Sequence, residues 1–292
     1  MESLASLLVA ADREHGYRNF RTEYRDIEMY TAKNRSAAIT EYFQAQTGQQ
    51  AMLSTLSGLW SLLTLLEAEF CQQQPELLEG VTGWQRYQQL SKRNRIEKII
   101  AECYRILRVI RIAWIHPEGE IKQKQGVIEC GCNCNEYPVL LRLTQTGVGL
   151  LQTLVQRYLE RRNTPYGERY HEAILQNYYQ DLLGEIRGFE DEDRALCQFR
   201  TVLKMNRHVR LNCRNPRYEV CDGYCVIQLG PSFDDGQCHP IDFHLRLNDR
   251  FYIVPMEAFF PYQSVPASAL ANSIAMTELS GWACRSDFQP PM

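Results

Sequence analysis

The sequence predicts an α+β fold that is mainly helical: a helical bundle with a small β-hairpin insert, followed by a small β-rich C-terminal module. Two observations lead to this fold class. Up to about residue 205, apolar residues recur every three or four positions, a period typical of amphipathic helices. Beyond that point the period disappears, and short runs rich in β-branched and aromatic residues alternate with turn residues. We therefore expect a helical domain at 1–205 and a β-rich module with a tail at 206–292.

Six segments carry the helical period, and the second and third are long enough to pack side by side in a bundle. Ser36 is a typical residue for a helix N-terminus and begins the second segment. The last segment begins in an acidic run, which we expect to be solvated because acids are favoured at the positive end of the helix dipole. The predicted helices cover 2–16, 36–72, 83–115, 145–162, 168–187 and 190–205.

A short β-hairpin interrupts the predicted helices near 126–143. Its two strands are apolar, and Gly, Asn and Pro residues fill the connection between them. In the C-terminal module, Asp-Gly and Asn-Asp pairs mark turns between strand-like runs. These runs lie at 218–220, 224–229, 242–247 and 250–254.

Composition and motifs exclude several classes of function. The 292 residues carry a formal net charge of −3, so any contact with a nucleic acid needs a local basic patch. No G-x-G-x-x-G, H-E-x-x-H or G-x-S-x-G motif occurs, which disfavours nucleotide-dependent transferases and the common hydrolases. No apolar run is long enough to span a bilayer, and the N-terminus lacks the basic start of a signal peptide. We therefore expect a cytoplasmic protein without a membrane partner.

A local basic patch does occur between residues 85 and 126. Ten Lys and Arg residues outnumber four Glu residues there, which gives a local charge of 10 − 4 = +6. Within it, Arg105, Arg108 and Arg111 recur every three residues on one stripe of a predicted helix, and we call these three residues the arginine row. Arg105 and Arg108, together with Lys122 and Lys124 further along, are candidates for binding an RNA backbone.

The arginine row is followed by His116 and Pro117. Proline disfavours the α conformation in the residue before it, so we expect the helix to end at His116, with Arg111 in its last turn. A free imidazole takes up or releases a proton near neutral pH, and a guanidinium stabilises charge on a phosphate. Arg111 and His116 are therefore the candidate catalytic pair for RNA cleavage without a metal, with His116 acting at a ribose 2′-hydroxyl or a leaving oxygen.

The stretch Arg111-Ile-Ala-Trp-Ile-His116-Pro-Glu-Gly, then a short insert, then Leu141-Arg-Leu-Thr-Gln-Thr-Gly-Val-Gly resembles the HEPN superfamily over about residues 40–162. Members are helical bundles with an Arg-x4-His motif, a Gly-containing turn, a hairpin and a further helix. The resemblance implies a metal-independent endoribonuclease that acts as a homodimer in a toxin or phage-defence setting. It assigns phosphate binding to Arg111 and acid/base chemistry to His116, and it implies an antitoxin or a complex subunit as a protein partner.

One departure from the superfamily keeps a second function open. Active members usually carry a polar residue directly after the Arg, and this chain carries Ile112. Many members are degenerate and serve as binding or interaction domains. The alternative is therefore a non-catalytic helical scaffold that binds a protein partner through the β-rich C-terminal module.

Eleven cysteines keep a zinc site open, although a metal-independent RNase needs no cofactor. Cys221 and Cys225 flank an Asp-Gly-Tyr turn, and Cys238 and His239 follow further along the chain. These four residues, with His244 as the alternative to His239, match the ligand types of a tetrahedral zinc site.

A second run of cysteines reads Cys130-Gly-Cys132-Asn-Cys134. In an extended segment the three thiols would face the same side. The spacing of one residue is shorter than that of the usual zinc-binding pair. We therefore expect a cysteine-rich hairpin tip without a metal.

Overall fold

Strands occur in both halves of the chain, and the strands of one sheet come from distant parts of the sequence. The computed structural model describes residues 4–15, 20–30, 52–75, 82–133, 137–201, 203–234, 236–259 and 272–285. Within these residues the fold is α+β, with seven α-helices and eleven strands in three sheets. The predicted helical bundle with a small hairpin insert is therefore wrong.

The bounds of the elements are as follows. The helices are α1 (Leu4–His15), α2 (Met52–Gln73), α3 (Gly83–Gln89), α4 (Arg95–Ile115), α5 (Gln145–Glu160), α6 (Glu168–Glu185) and α7 (Met276–Leu279). The strands are β1 (Glu23–Asp26), β2 (Gly119–Lys124), β3 (Val127–Cys132), β4 (Val139–Thr144), β5 (Ile186–Glu190), β6 (Val209–Cys213), β7 (Arg217–Cys221), β8 (Tyr224–Gln228), β9 (Ile241–Leu247), β10 (Arg250–Pro255) and β11 (Ser273–Ala275). The predicted helix start at Ser36 lies outside the described residues.

The chain divides into two compact units, each assembled from separate stretches of sequence. Unit 1 comprises Met1–Phe20, Thr47–Arg162 and Leu175–Arg200. Unit 2 comprises Arg21–Gln46, Asn163–Ile174 and Thr201–Met292. The domain bounds predicted at 1–205 and 206–292 stay a prediction.

Unit 1 contains an antiparallel sheet in the order β2-β3-β4-β5, and α4 packs against it. Strands β3 and β4 form the hairpin that the sequence predicts near 126–143. The two outer strands are not predicted. Strand β2 is polar and largely exposed, so it has no apolar face to identify it, and β5 continues the apolar period of the helix before it.

The segment predicted as one helix at 83–115 is two helices. Thr82 begins α3: its side chain accepts the Gln85 N–H, and the Gln85 side chain accepts the Thr82 N–H. Asn94 begins α4, with its side chain accepting the Glu97 N–H at 2.9 Å. A side chain that bonds to the following backbone favours a helix start over a helix interior, which is why the chain restarts at Asn94.

The segment predicted as a helix at 190–205 is not helical. Strand β5 ends at Glu190, and the described residues that follow form turns and irregular structure. Asp191 and Glu192 were expected to be solvated at a helix start, but their carboxylates accept hydrogen bonds from arginines of α4. Ion pairing with a buried helix therefore overrides the local preference of an acidic run.

The core of unit 1 lies between the apolar faces of α2, α4 and α5. Leu62, Leu66, Ile99, Ile106 and Leu151 have no exposed surface. Burial of each such side chain stabilises the fold by about 1.5–3 kcal/mol. The core therefore holds α4 rigidly, and the last turn of α4 carries the candidate site.

Unit 2 contains a mixed sheet in the order β1-β6-β9-β10 and an antiparallel sheet in the order β11-β8-β7. Strands β1, β6 and β9 run parallel, and β10 is antiparallel to β9. Arg210 is fully buried and donates to Asp242 and to Glu257, and the Tyr170 hydroxyl donates to Asp242 at 2.6 Å. Buried charges are costly unless they are paired, so this network completes the interior of the unit.

In the described part of the chain, no helix is both long enough and apolar enough to cross a lipid bilayer.

Candidate functional site

The candidate site lies at the C-terminal end of α4, in unit 1. The helix ends at Ile115, and His116 has an extended backbone (φ −76°, ψ 139°), as expected for the residue before Pro117. The Gly119 N–H donates to the His116 carbonyl at 2.8 Å and closes a tight turn. A short piece of sequence thus determines where the imidazole leaves the helix.

Residue 119 must be a glycine because this turn has no space for a side chain. A Cβ atom on residue 119 would lie 2.2 Å from the Ala113 carbonyl oxygen. That oxygen belongs to the backbone of α4, so it cannot move away without distorting the helix. The absence of a side chain at Gly119 therefore lets the His116 turn fold back against the last turn of α4.

The backbone also orients the imidazole of His116. The Glu118 N–H donates to His116 Nδ1 at 3.2 Å. A ring nitrogen that accepts a hydrogen bond carries no hydrogen, so the neutral ring carries its hydrogen on Nε2. His116 therefore has an N–H donor at Nε2.

Arg111 and His116 line the same open cleft, which has a volume of about 730 Å³. We call it the α4 cleft. Aromatic rings of Trp84, Tyr104 and Tyr137 contribute to its walls, and Tyr137 is 58% exposed. Clefts of about 300–1,000 Å³ with a few polar groups typically bind small molecules. The volume of the α4 cleft falls in this range, and the cleft is lined by a cation, an N–H donor and aromatic residues.

The inner arginines of the arginine row are sealed in ion pairs. Arg105 has no exposed side-chain surface, and it donates to both carboxylate oxygens of Asp191, at 2.9 Å and 2.5 Å, and to Glu102 at 2.9 Å. Arg108 donates to both carboxylate oxygens of Glu192 and is 6% exposed. Since a bound RNA backbone needs cations that face solvent, Arg105 has a structural position, and Arg108 lines the α4 cleft with its charge already paired.

Arg111, at the outer end of the row, is different. Its side chain is 38% exposed, and Nη1 lies 3.4 Å from the Glu67 carboxylate of α2. Strong charge-assisted hydrogen bonds are shorter, at about 2.7–2.9 Å. The guanidinium also lies 5.3 Å from the centre of the Trp60 ring. Arg111 is therefore the member of the row that a ligand in the cleft can reach.

Glu67 makes closer contacts with two other groups. Its Oε1 accepts a hydrogen bond from Arg86 and another from the Tyr104 hydroxyl, the latter at 3.2 Å. Burial, followed by the charge of Glu67, raises the pKa of Tyr104 to about 12. Burial alone would lower the pKa of Arg86, but Tyr104 and Glu67 outweigh it and the pKa is raised. We call Glu67, Arg86, Tyr104 and Arg111 the Glu67 cluster.

The two predicted lysines lie on β2 and are exposed. Lys122 pairs with Glu120 at 2.6 Å, and its side chain is 59% exposed. Neither Lys122 nor Lys124 lines the α4 cleft. Of the six residues predicted for RNA cleavage and binding, Arg108, Arg111 and His116 are thus brought together at the cleft.

The predicted zinc ligands lie in unit 2. Cys221 and Cys225 belong to the hairpin of β7 and β8, whereas Cys238 and His239 precede β9. Burial raises the pKa of Cys225 to about 11. Across the described residues, no three His, Cys, Asp or Glu side chains are grouped as a metal site would require. In the other run, Cys130 and Cys132 are buried on β3, and Cys134 lies outside the described residues.

Comparisons with protein families, with curated proteins and with solved structures found no match for this chain. The chemistry that the site can perform therefore follows from its geometry. The decisive features are a partly exposed guanidinium, an oriented N–H donor and aromatic rings on one cleft.

Three residues of the cleft region are not predicted from the sequence. Glu67 comes from α2, Glu192 from the turn after β5, and Tyr137 from the connection before β4. No spacing along the chain relates them to Arg111. Only Glu67 leaves a local signal, because Glu67 and Glu69 are the two charged residues of α2.

Proposed function

We propose that the chain binds RNA in the α4 cleft and cleaves it without a metal ion. The observation that carries this proposal is that Arg111 and His116 line one open cleft. A guanidinium and an imidazole are the groups that metal-free RNA cleavage needs, and both belong to residues that line this cleft. The HEPN resemblance of the sequence implies the same pair.

The two residues have separate roles in this proposal. Arg111 binds the scissile phosphate and stabilises the charge that develops on it. Before the reaction, His116 donates a hydrogen bond from Nε2 to a phosphate oxygen, because the Glu118 N–H occupies Nδ1. In the reaction, the 2′-hydroxyl attacks phosphorus and gives its proton to Nε2, which requires the hydrogen bond from Glu118 to break so that the ring hydrogen can move to Nδ1. The bond between phosphorus and the leaving oxygen then breaks, and the imidazolium returns a proton to that oxygen. The aromatic rings of Trp84 and Tyr137 support a stacked nucleobase.

The test uses a labelled single-stranded RNA in EDTA with three proteins: the wild type, Arg111→Ala and His116→Ala. We expect chelator-resistant cleavage by the wild type and a loss of about 100-fold or more in each variant. An all-deoxy oligonucleotide of the same sequence should bind without being cleaved, since it lacks the 2′-hydroxyl nucleophile. Arg142→Ala is the matched control, because it removes an exposed arginine on β4.

Two results would overturn the proposal. One is cleavage that both substitutions leave unchanged, which would indicate a contaminating nuclease. The other is the absence of chelator-resistant RNA cleavage by the wild type. The homodimer that the HEPN resemblance implies is a further part of the proposal, and sedimentation of the wild type tests it directly.

A second candidate function has one specific observation in its favour. Ile115 and Tyr137 both line the α4 cleft, and each is 58% exposed. Exposed apolar residues beside a cleft favour contact with a protein partner. In this case the chain would show no turnover, and Ile115→Glu would abolish recovery of a partner that Arg111→Ala still recovers. Such a partner would be an antitoxin or a complex subunit in a toxin or phage-defence setting.

Zinc at Cys221, Cys225, Cys238 and His239 stays a separate proposal without support from the geometry. Metal analysis of the purified chain tests it, and about one zinc per chain would establish it.

A further inference from the structure

We infer that Glu67 is an internal competitor for the anion site of Arg111, and that an anionic ligand must displace the Glu67 contact to bind in the α4 cleft. This inference rests on the proposed function for its ligand, an RNA phosphate. It assigns to Glu67 the part of a specificity-determining residue, which tunes how strongly a phosphate oxyanion is held.

The three members of the arginine row contact their carboxylate partners with different geometries. Arg105 and Arg108 each donate two nitrogens to two oxygens of one carboxylate, a paired geometry that is both strong and specific. Arg111 approaches Glu67 through Nη1 alone, at 3.4 Å and 3.5 Å from the two oxygens. Its contact with Glu67 is thus the weakest of the three and the easiest to exchange.

Two neighbouring side chains hold the Glu67 carboxylate in place. Its side chain is 17% exposed, and Oε1 accepts hydrogen bonds from Arg86 and Tyr104. These two groups keep the carboxylate near Arg111 without any contribution from Arg111 itself. The Glu67 charge therefore stays beside the lining residues Arg86 and Tyr104 after Arg111 has turned toward a ligand.

The Glu67 carboxylate repels an anion that binds to Arg111. A phosphate oxygen bonded to Arg111 would lie within a few ångströms of the Glu67 carboxylate, and two negative charges at that separation repel each other. Water and salt screen this repulsion only in part, because Glu67 is mostly buried. Glu67 therefore lowers the affinity of the cleft for a phosphate group, whether that phosphate is free or part of an RNA.

The experiment measures binding of inorganic phosphate and of a short single-stranded RNA at low ionic strength. Glu67→Gln keeps an oxygen that accepts from Arg86 and Tyr104, but it removes the charge. We expect Glu67→Gln to bind both probes about three- to fivefold more tightly, the range of a partly exposed ion pair. Glu129→Gln is the control: it makes the same change of charge in a pair with Arg142 on the exposed face of β3 and β4, and we expect no change in affinity.

A double-mutant cycle ties the effect to Arg111. In an Arg111→Ala background, Glu67→Gln should give no gain in affinity. Because Arg86 is mostly buried and loses its charged partner in Glu67→Gln, circular dichroism checks the fold, and Glu67→Asp serves as a second variant. It keeps the charge and withdraws it by one methylene, so we expect a smaller gain. Unchanged affinity in whichever of these variants folds, or a gain that persists without Arg111, overturns the inference.

The two proposals fail in different ways. If phosphate shows the Glu67 pattern but RNA does not bind, the competitor role stands and the RNA function is wrong. If RNA binds through Arg111 with an affinity that Glu67→Gln leaves unchanged, the function stands and the competitor role is wrong.

Discussion

The inner and outer ends of the arginine row use the same residue type on the same helix, only three to six positions apart, yet they are built for opposite purposes. Arg105 is sealed between two carboxylates, with no exposed surface. Arg111 is partly exposed and has one loose contact. The difference comes from the partners and not from the arginines: the acidic turn after β5 reaches the inner end, and among the described carboxylates it is Glu67 that reaches the outer one. A regular stripe of charge on a helix is therefore no evidence of a uniform function.

The largest expected effect is on stability at the inner end. Arg105→Ala leaves Glu102 and Asp191 buried without their shared cation, which should lower the free energy of unfolding by about 3–5 kcal/mol. Arg111→Ala, the same change at the outer end, should lower it by less than about 1 kcal/mol. Urea denaturation of both variants measures the contrast. Equal losses would show that the two ends do not differ in the way we describe.

An intermediate effect is expected from Tyr104 of the Glu67 cluster, whose hydroxyl donates to the same carboxylate that Arg111 contacts. Burial raises its pKa in the folded chain to about 12, whereas an unfolded tyrosine titrates near pH 10, so the unfolded state loses the proton first. The stability that Tyr104 contributes is fully present below about pH 10 and is lost as the pH rises toward 12. The size is on the order of 2 kcal/mol.

Tyr104→Phe isolates this contribution from the other tyrosines. Unfolding is measured for the wild type and the variant at pH 8 and again near pH 11.5, and the wild type should lose more stability on the alkaline side. If both proteins lose the same amount of stability, the Tyr104 hydroxyl is in contact with water, and solvent in the α4 cleft extends past the Glu67 cluster.

A smaller effect on stability than that of Arg105→Ala should accompany a large effect on the site. Gly119→Ala places a methyl group against the Ala113 carbonyl, and crowding of this kind costs about 1–2 kcal/mol. The turn that holds His116 must shift to relieve the contact, so we expect RNA cleavage to fall with His116 chemically intact. Gly131→Ala on β3 is the control, because its added Cβ meets nothing closer than 3.6 Å. Full cleavage by Gly119→Ala would show that the outer end needs no fixed His116 turn.

The comparison also separates what could be predicted from what could not. The end of α4 at His116 follows from Pro117 alone, because the proline acts on its neighbour. The strands of the β3–β4 hairpin follow from their apolar residues. By contrast, the acidic turn after β5 was predicted as the start of a helix at 190–205, because acids suit a helix start, and the first two residues of β5 were placed at the end of the predicted helix 168–187. What the acidic turn pairs with lies more than eighty residues earlier in the chain.

The sequence by itself determined the positions of Arg111 and His116 at the end of a helix, since helix period and proline sterics act over a few residues. It also determined that a cation-rich stretch exists in an otherwise slightly acidic chain. Tertiary structure alone decided which of those cations remain reachable. Carboxylates from α2 and from the turn after β5 neutralise the row unevenly, and no local pattern encodes an ion pair between segments so far apart. Because the cost of burying a charge depends on its partners, the division between structural and functional arginines arises only when the chain is folded.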